Sequence, residues 1–267
     1  MQDAADAAIA RALDGTRVLV CYGLLGEVMA GLRPLGMDYM ATQMAWLRGL
    51  GVAAEVVRLP TVAPVGVNAA RIAAAIEADA TPVLLVGHSK GGLEALAALL
   101  LPGVAPRCRG FLALQCPFRG SPLADLVLGL RGARLAAHHA ARLLRLGTGR
   151  GVKDLTTAVR GRWMEEKAGA VAALVAQVPV TTLATAIGPR PAPADRVHAP
   201  LARWMERMGA GPNDGLVPVA SALIEGARCR VEEGGHRALV APGAGRDPVG
   251  LLRREIGILL AARPAGG

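Results

Sequence analysis

The sequence predicts an α/β protein in which a mainly parallel sheet is flanked by helices. Short, near-continuous apolar runs alternate along the chain with Ala- and Leu-rich stretches of helical length. Runs without polar alternation belong to strands buried on both faces, and helices on both sides of a sheet bury strands in that way. The sharpest run, TPVLLVGHS at 81–89, passes through a glycine-rich turn straight into a helical segment.

Residues 17–23 (RVLVCYG) read as a buried strand, 37–51 as a helix ending at glycine, and 53–60 as a second strand. Residues 68–78 read as a helix with Asn68 as its cap. The strand at 81–89 is followed by a helix at 92–101 and a strand at 109–116. A strand at 179–187 follows much later, then a last strand at 229–234 and a last helix at 248–263. The interval 122–177 holds no convincing strand and is long for one crossover, so it reads as a helical insertion over one end of the sheet. The whole chain, 1–267, is expected to form a single domain.

Composition narrows the function classes. With 52% hydrophobic and 19% charged residues, the chain can build a large core and does not resemble a disordered one. Mean hydropathy is positive, yet no stretch approaches 18 uninterrupted apolar residues, so no membrane-spanning helix is expected. The N-terminus lacks a basic start followed by an apolar run, which gives the expectation of either a cytoplasmic protein or one whose leader has been removed. The four cysteines are far apart and form no CxxC pair, so reduced thiols are expected rather than a metal site. The net charge of +9 is concentrated: residues 131–167 carry nine Lys or Arg against three Asp or Glu. With 3% aromatics and no recognisable motif, nucleic-acid binding is not expected.

Chemistry is concentrated in Gly87-His88-Ser89-Lys90-Gly91-Gly92. A G-x-S-x-G turn between a strand and a helix holds its serine in a strained backbone geometry, with glycines two positions either side where larger residues would collide. Ser89 is therefore the candidate nucleophile, Gly87 and Gly91 complete the elbow, and the backbone N–H of Lys90 can stabilise an oxyanion. A serine hydroxyl needs a base oriented by a third group. Of five histidines, His236 lies between the last strand and the last helix, where this arrangement places its base. His88 is set aside as pointing away from its neighbour, and His138, His139 and His198 lie in the basic insertion or a proline-rich loop. Asp214, in the turn sequence Asn213-Asp214-Gly215, is the favoured acid, with Asp195 the alternative. The second oxyanion donor is expected after the first strand, at the N–H of Leu24.

Four separated pieces together resemble bacterial true lipases of the α/β-hydrolase superfamily. Tyr22-Gly23-Leu24-Leu25-Gly26 is similar to the His-Gly-x-x-Gly oxyanion loop, with Tyr22 in place of the histidine. Residues 87–92 match the elbow, and 213–217 match the acid loop. Pro117-Phe118-Arg119-Gly120-Ser121-Pro122 is similar to the Pro-His-Arg-Gly-Ser-Pro stretch that opens the lid, with Phe118 for the histidine. The resemblance implies the α/β-hydrolase fold, a Ser89–His236–Asp214 triad, a lid within 122–177, and hydrolysis of carboxylic esters without a cofactor. Many secreted relatives hold calcium through an aspartate just past the histidine. Here Arg237-Ala238-Leu239 follows, so no calcium site is expected.

Within the insertion, Arg131, Arg134, His138, Arg142 and Arg145 recur at spacings that place them on one stripe of a helix, beside an apolar side of leucines. Such a stripe fits either a lid that touches an anionic membrane surface or a plain solvated face. The expected substrate is a small acyl or lipid ester. A thioesterase or intracellular polyester depolymerase with the same triad remains open, as does a catalytically silent hydrolase fold that binds partners.

Overall fold

In a computed structural model, residues 2–22, 40–60, 63–129, 150–243 and 245–262 are described. Among these residues six strands form one sheet: β1 (Arg17–Cys21), β2 (Ala53–Val56), β3 (Val83–His88), β4 (Cys108–Leu114), β5 (Val180–Ala186) and β6 (Arg228–Glu233). Their order is β2-β1-β3-β4-β5-β6, and every pairing is parallel. The helices are α1 (Gln2–Ala12), α2 (Ala41–Gly49), α3 (Val65–Glu77), α4 (Lys90–Leu99), α5 (Pro122–Gly129), α6 (Arg150–Lys153), α7 (Thr157–Glu166), α8 (Ala168–Gln177), α9 (Ala199–Arg207), α10 (Val219–Ala222) and α11 (Pro248–Ala261).

The interior strands alternate with period two, although both faces are apolar. Val18, Val20, Leu84, Val86, Leu112 and Leu114 pack with α1, α2 and α11 on one face. Leu19, Cys21, Val83, Leu85, Phe111 and Ala113 pack with α3, α4 and α8 on the other. Burial on both sides is why these strands read as continuous apolar runs. The edge strands differ: β2 and β6 are only partly covered and carry charges. Arg228 and Arg230 of β6 pair with the buried Glu255 of α11, which ties that edge to the last helix.

Three sequence expectations change. The second strand ends at Val56, well short of residue 60, and among the described residues it pairs with β1 alone. The helix expected at 68–78 begins at Val65 after Pro64, so Asn68 is not its cap. Asn68 is instead buried inside α3 and donates to the carbonyl of Pro60 at 3.0 Å and to Glu94 at 2.7 Å. Helix α1 was not foreseen. Its Ile9 and the following Leu13 are buried against the sheet, and Asp6 accepts from Trp46 at 3.0 Å.

The described parts of 122–177 are helical: α5, α6, α7 and α8. The residues of the basic stripe, 131–145, lie outside the described residues. No helix among the described residues is long and apolar enough to cross a membrane.

Candidate active site

The chain winds outward from β1 in both directions, so the carboxyl ends of β1 and β3 flank a topological switch, where open α/β sheets place their sites. Ser89 sits there, directly after β3, with φ 54° and ψ −130°. This conformation is costly for a residue with a Cβ, and the surroundings enforce it. The Ser89 N–H is held by the carbonyl of Leu114 at 3.0 Å, and its own carbonyl accepts from Gly92 at 3.1 Å. The turn packs so tightly that a Cβ at Gly91 would lie 2.3 Å from the Cys21 carbonyl oxygen and 2.6 Å from that of Tyr22. A Cβ at Gly87 would lie 2.6 Å from the Gly92 Cα.

Lys90 opens α4, so its N–H has no intrahelical partner. Its side chain turns inward and is fully buried, ion-paired to Glu94 and donating to the carbonyl of Ala63 at 2.9 Å. Burial raises the Glu94 carboxyl above its ordinary range, against the opposing pull of Lys90. The pair and Asn68 lock the start of α4 to the chain that follows β2. Leu24 lies outside the described residues.

The structure brings Ser89, His236 and Asp214 together across 147 and 22 positions of sequence. Ser89 Oγ lies 2.9 Å from His236 Nε2, and His236 Nδ1 lies 2.8 Å from Asp214 Oδ2. An ionised carboxylate only accepts, so Nδ1 carries the proton and Nε2 is left to accept from the serine hydroxyl. The other oxygen of Asp214 accepts from the N–H groups of Leu216 at 2.9 Å and Val217 at 2.7 Å, which fixes the carboxylate plane. Asn213 braces the same turn, accepting from Gly215 at 2.9 Å and donating to the carbonyl of Ala202 at 3.1 Å. The stretch 117–122 reaches this loop too: Ser121 Oγ donates to the carbonyl of Leu216 at 2.5 Å. Phe118 is wholly buried, and its carbonyl accepts from Arg160 at 3.2 Å.

Asp195, the alternative acid, is buried and ion-paired to Arg246. His88 was set aside at the sequence level, yet it lies against the candidate base, with ring centroids 5.0 Å apart. Its Nε2 faces two acceptors, Gln115 Oε1 at 3.2 Å and the His236 carbonyl at 3.1 Å, so the proton sits on Nε2. Burial, reinforced by the neighbouring His236, pushes its pKa down to about 3, and the ring is neutral at ordinary pH. His198 lies in the same neighbourhood and is also held below its ordinary pKa by burial. Sequence reasoning missed Gln115, which directly follows β4 in a left-handed conformation at φ 53°. A lone glutamine after an apolar run carries no sequence signal for such a place. Among the described residues, no group of three or more His, Cys, Asp or Glu is placed to hold a metal ion.

No protein-family model matches the chain, and no curated protein is similar to it in sequence. Solved structures do match. A metagenomic carboxyl esterase superimposes with a TM-score of 0.68 at 22% identity, over 92% of this chain and 75% of its own. The mature form of a Bacillus licheniformis lipase gives 0.68 at 22% identity, over 91% of each chain. Lipase 1 from Pelosinus fermentans gives 0.64 at 12% identity, over 93% of this chain and 99% of its own. The chain has the α/β-hydrolase fold of these bacterial esterases and lipases.

Proposed function

We propose that this protein is a serine hydrolase that cleaves carboxylic esters of acyl or lipid type through an acyl-enzyme intermediate. One observation carries the reading: an unbroken hydrogen-bonded line from Ser89 Oγ through His236 to Asp214, at 2.9 and 2.8 Å, which begins at a serine held with positive φ. The esterase and lipase activities of the structural neighbours support the same class.

His236 Nε2 takes the Ser89 proton as Oγ attacks the ester carbonyl carbon. The Lys90 N–H, at the positive end of α4, faces the charge that develops on the carbonyl oxygen, with Leu24 the candidate for a second donor. Asp214 stabilises the imidazolium and holds its tautomer. The imidazolium then gives its proton to the leaving alkoxide. In the second half, His236 removes a proton from water, the resulting hydroxide attacks the acyl carbon, and the proton returns to Ser89 as the acid departs. No step calls for a cofactor.

Labelling with a fluorophosphonate probe, alongside a panel of esters of varied acyl length and headgroup, tests this. The parent should label at Ser89 and turn over esters, and Ser89→Ala should do neither while remaining folded. A parent that neither labels nor hydrolyses any ester would point to a silent hydrolase fold. Running the panel with and without anionic vesicles tests whether the basic stripe at Arg131, Arg134, His138, Arg142 and Arg145 assists at a lipid surface.

A further inference from the structure

We infer that Gln115 is a positioning residue that holds the base-bearing loop in register with the nucleophile and the acid. This rests on the hydrolase reading above. Gln115 is wholly buried directly after β4, within reach of the Asp214 carboxylate and of the peptide that precedes His236. Its backbone is anchored by a hydrogen bond from its N–H to the Leu183 carbonyl at 2.7 Å.

The side-chain amide meets a chemically one-sided environment. Nε2 faces three acceptors: Thr185 Oγ1, the Gly235 carbonyl at 2.9 Å and, more distantly, Asp214 Oδ2 at 3.4 Å. Oε1 faces His88 Nε2 at 3.2 Å. Reversing the amide would set an oxygen against the Gly235 carbonyl and the carboxylate, so only this orientation is satisfied. One side chain therefore touches the turn that precedes His236, the carboxylate that orients it, and the histidine that ends β3 just before Ser89. His88 completes the connection, because the same Nε2–H that meets Gln115 also reaches the His236 carbonyl at 3.1 Å.

The arrangement is specific rather than generic packing. A residue at φ 53° would ordinarily be glycine or asparagine, yet here a long amide sits in that conformation and reaches across to β5 and the loop after β6. The Gly235 carbonyl immediately precedes His236. A shift of that peptide moves the imidazole relative to Ser89 Oγ, and misplacement of a reacting group by 1 Å can cost about a hundredfold in rate. Gln115 contacts no reacting atom, so its loss should slow turnover while leaving substrate binding alone.

The test compares the parent with Gln115→Met, which keeps length and removes the polar contacts, and Gln115→Gly, which also relieves the backbone. Each is assayed for kcat and KM on a short soluble ester, for thermal unfolding, and by proton NMR for the low-field Nδ1–H resonance of His236. The inference expects both folded variants to lose at least about tenfold in kcat with KM held within about threefold, and the resonance to shift or broaden. A variant with kcat within twofold of the parent and an unchanged resonance would overturn it. Failure of both variants to fold would overturn it too, since Gln115 would then belong to the scaffold alone. A parent without Ser89-dependent turnover would instead remove the hydrolase reading, so the two failures are distinguishable.

Discussion

The tightest contact in the elbow gives a quantitative prediction. A Cβ added at Gly92 would lie 2.0 Å from Cys116 Sγ and 3.0 Å from its Cβ. Non-bonded heavy atoms settle at about 3.5–4.0 Å, so Gly92→Ala must open roughly 1.5 Å between α4 and the end of β4. Neither side yields easily: the Gly92 N–H is tied to Ser89, and Cys116 is fully buried. Overpacking of this kind costs about 1–3 kcal/mol, and the better helix propensity of alanine returns about 0.8–1.0 kcal/mol. The net loss should be up to about 2 kcal/mol, which at roughly 2–4 °C per kcal/mol lowers the thermal midpoint by up to about 8 °C. Cys116→Ala alone removes a buried sulfur, equivalent to about one methylene or roughly 0.8 kcal/mol. Combining the two lets the new methyl occupy the vacated space and leaves a 3.0 Å contact that a small shift relieves. The double variant should therefore unfold within about 1 kcal/mol of the parent and above Gly92→Ala. Thermal and urea unfolding of all four proteins supplies the cycle. Simple additivity, with the double variant melting below Gly92→Ala, would refute the reasoning.

Further outcomes follow from the site and its surroundings. Asp214→Asn should lower kcat/KM by several orders of magnitude, because an amide cannot stabilise the imidazolium, whereas Asp195→Asn should lose stability more than turnover. The reverse ranking in a paired assay would reassign the acid. Glu94→Ala leaves a buried ammonium at Lys90 and should cost about 3–5 kcal/mol in urea unfolding. His88 has its pKa pushed down from an ordinary 6.5 to about 3, so below pH 6.5 the unfolded chain takes a proton that the native ring refuses. Stability should fall as pH drops from 6.5 towards 3, by about 3 kcal/mol at pH 4 from this group, and His88→Gln should show a shallower acid limb. Of the four thiols, Cys229 is exposed while Cys21, Cys108 and Cys116 are buried with raised pKa values, Cys108 to about 12. A thiol reagent should therefore modify one cysteine per native chain promptly and the other three only on unfolding.

The sequence by itself determined what depends on local spacing. Uninterrupted apolar runs at residues 83–86 and 110–114 belong to strands covered on both faces, and the structure places them at the centre of the sheet. Glycines at 87 and 91 around a serine were legible because the turn leaves no room for a Cβ, a constraint carried within five residues. The order of Ser89, Asp214 and His236 along the chain followed from which strand ends each one trails. Tertiary structure decided everything that depends on which distant side chains meet. Asp214 and Asp195 both follow β5 and both become buried; only the fold shows one bonded to His236 and the other to Arg246. Asn68 looked like a helix cap, but burial against Glu94 outweighed its local preference. Gln115 and His88 gave no signal in their own segments, because their role consists of contacts 27 to 148 positions away. Periodicity and turn chemistry act between near neighbours along the backbone, whereas the polar connection beneath the site exists only once the carboxyl ends of four strands have been brought to one edge of the sheet.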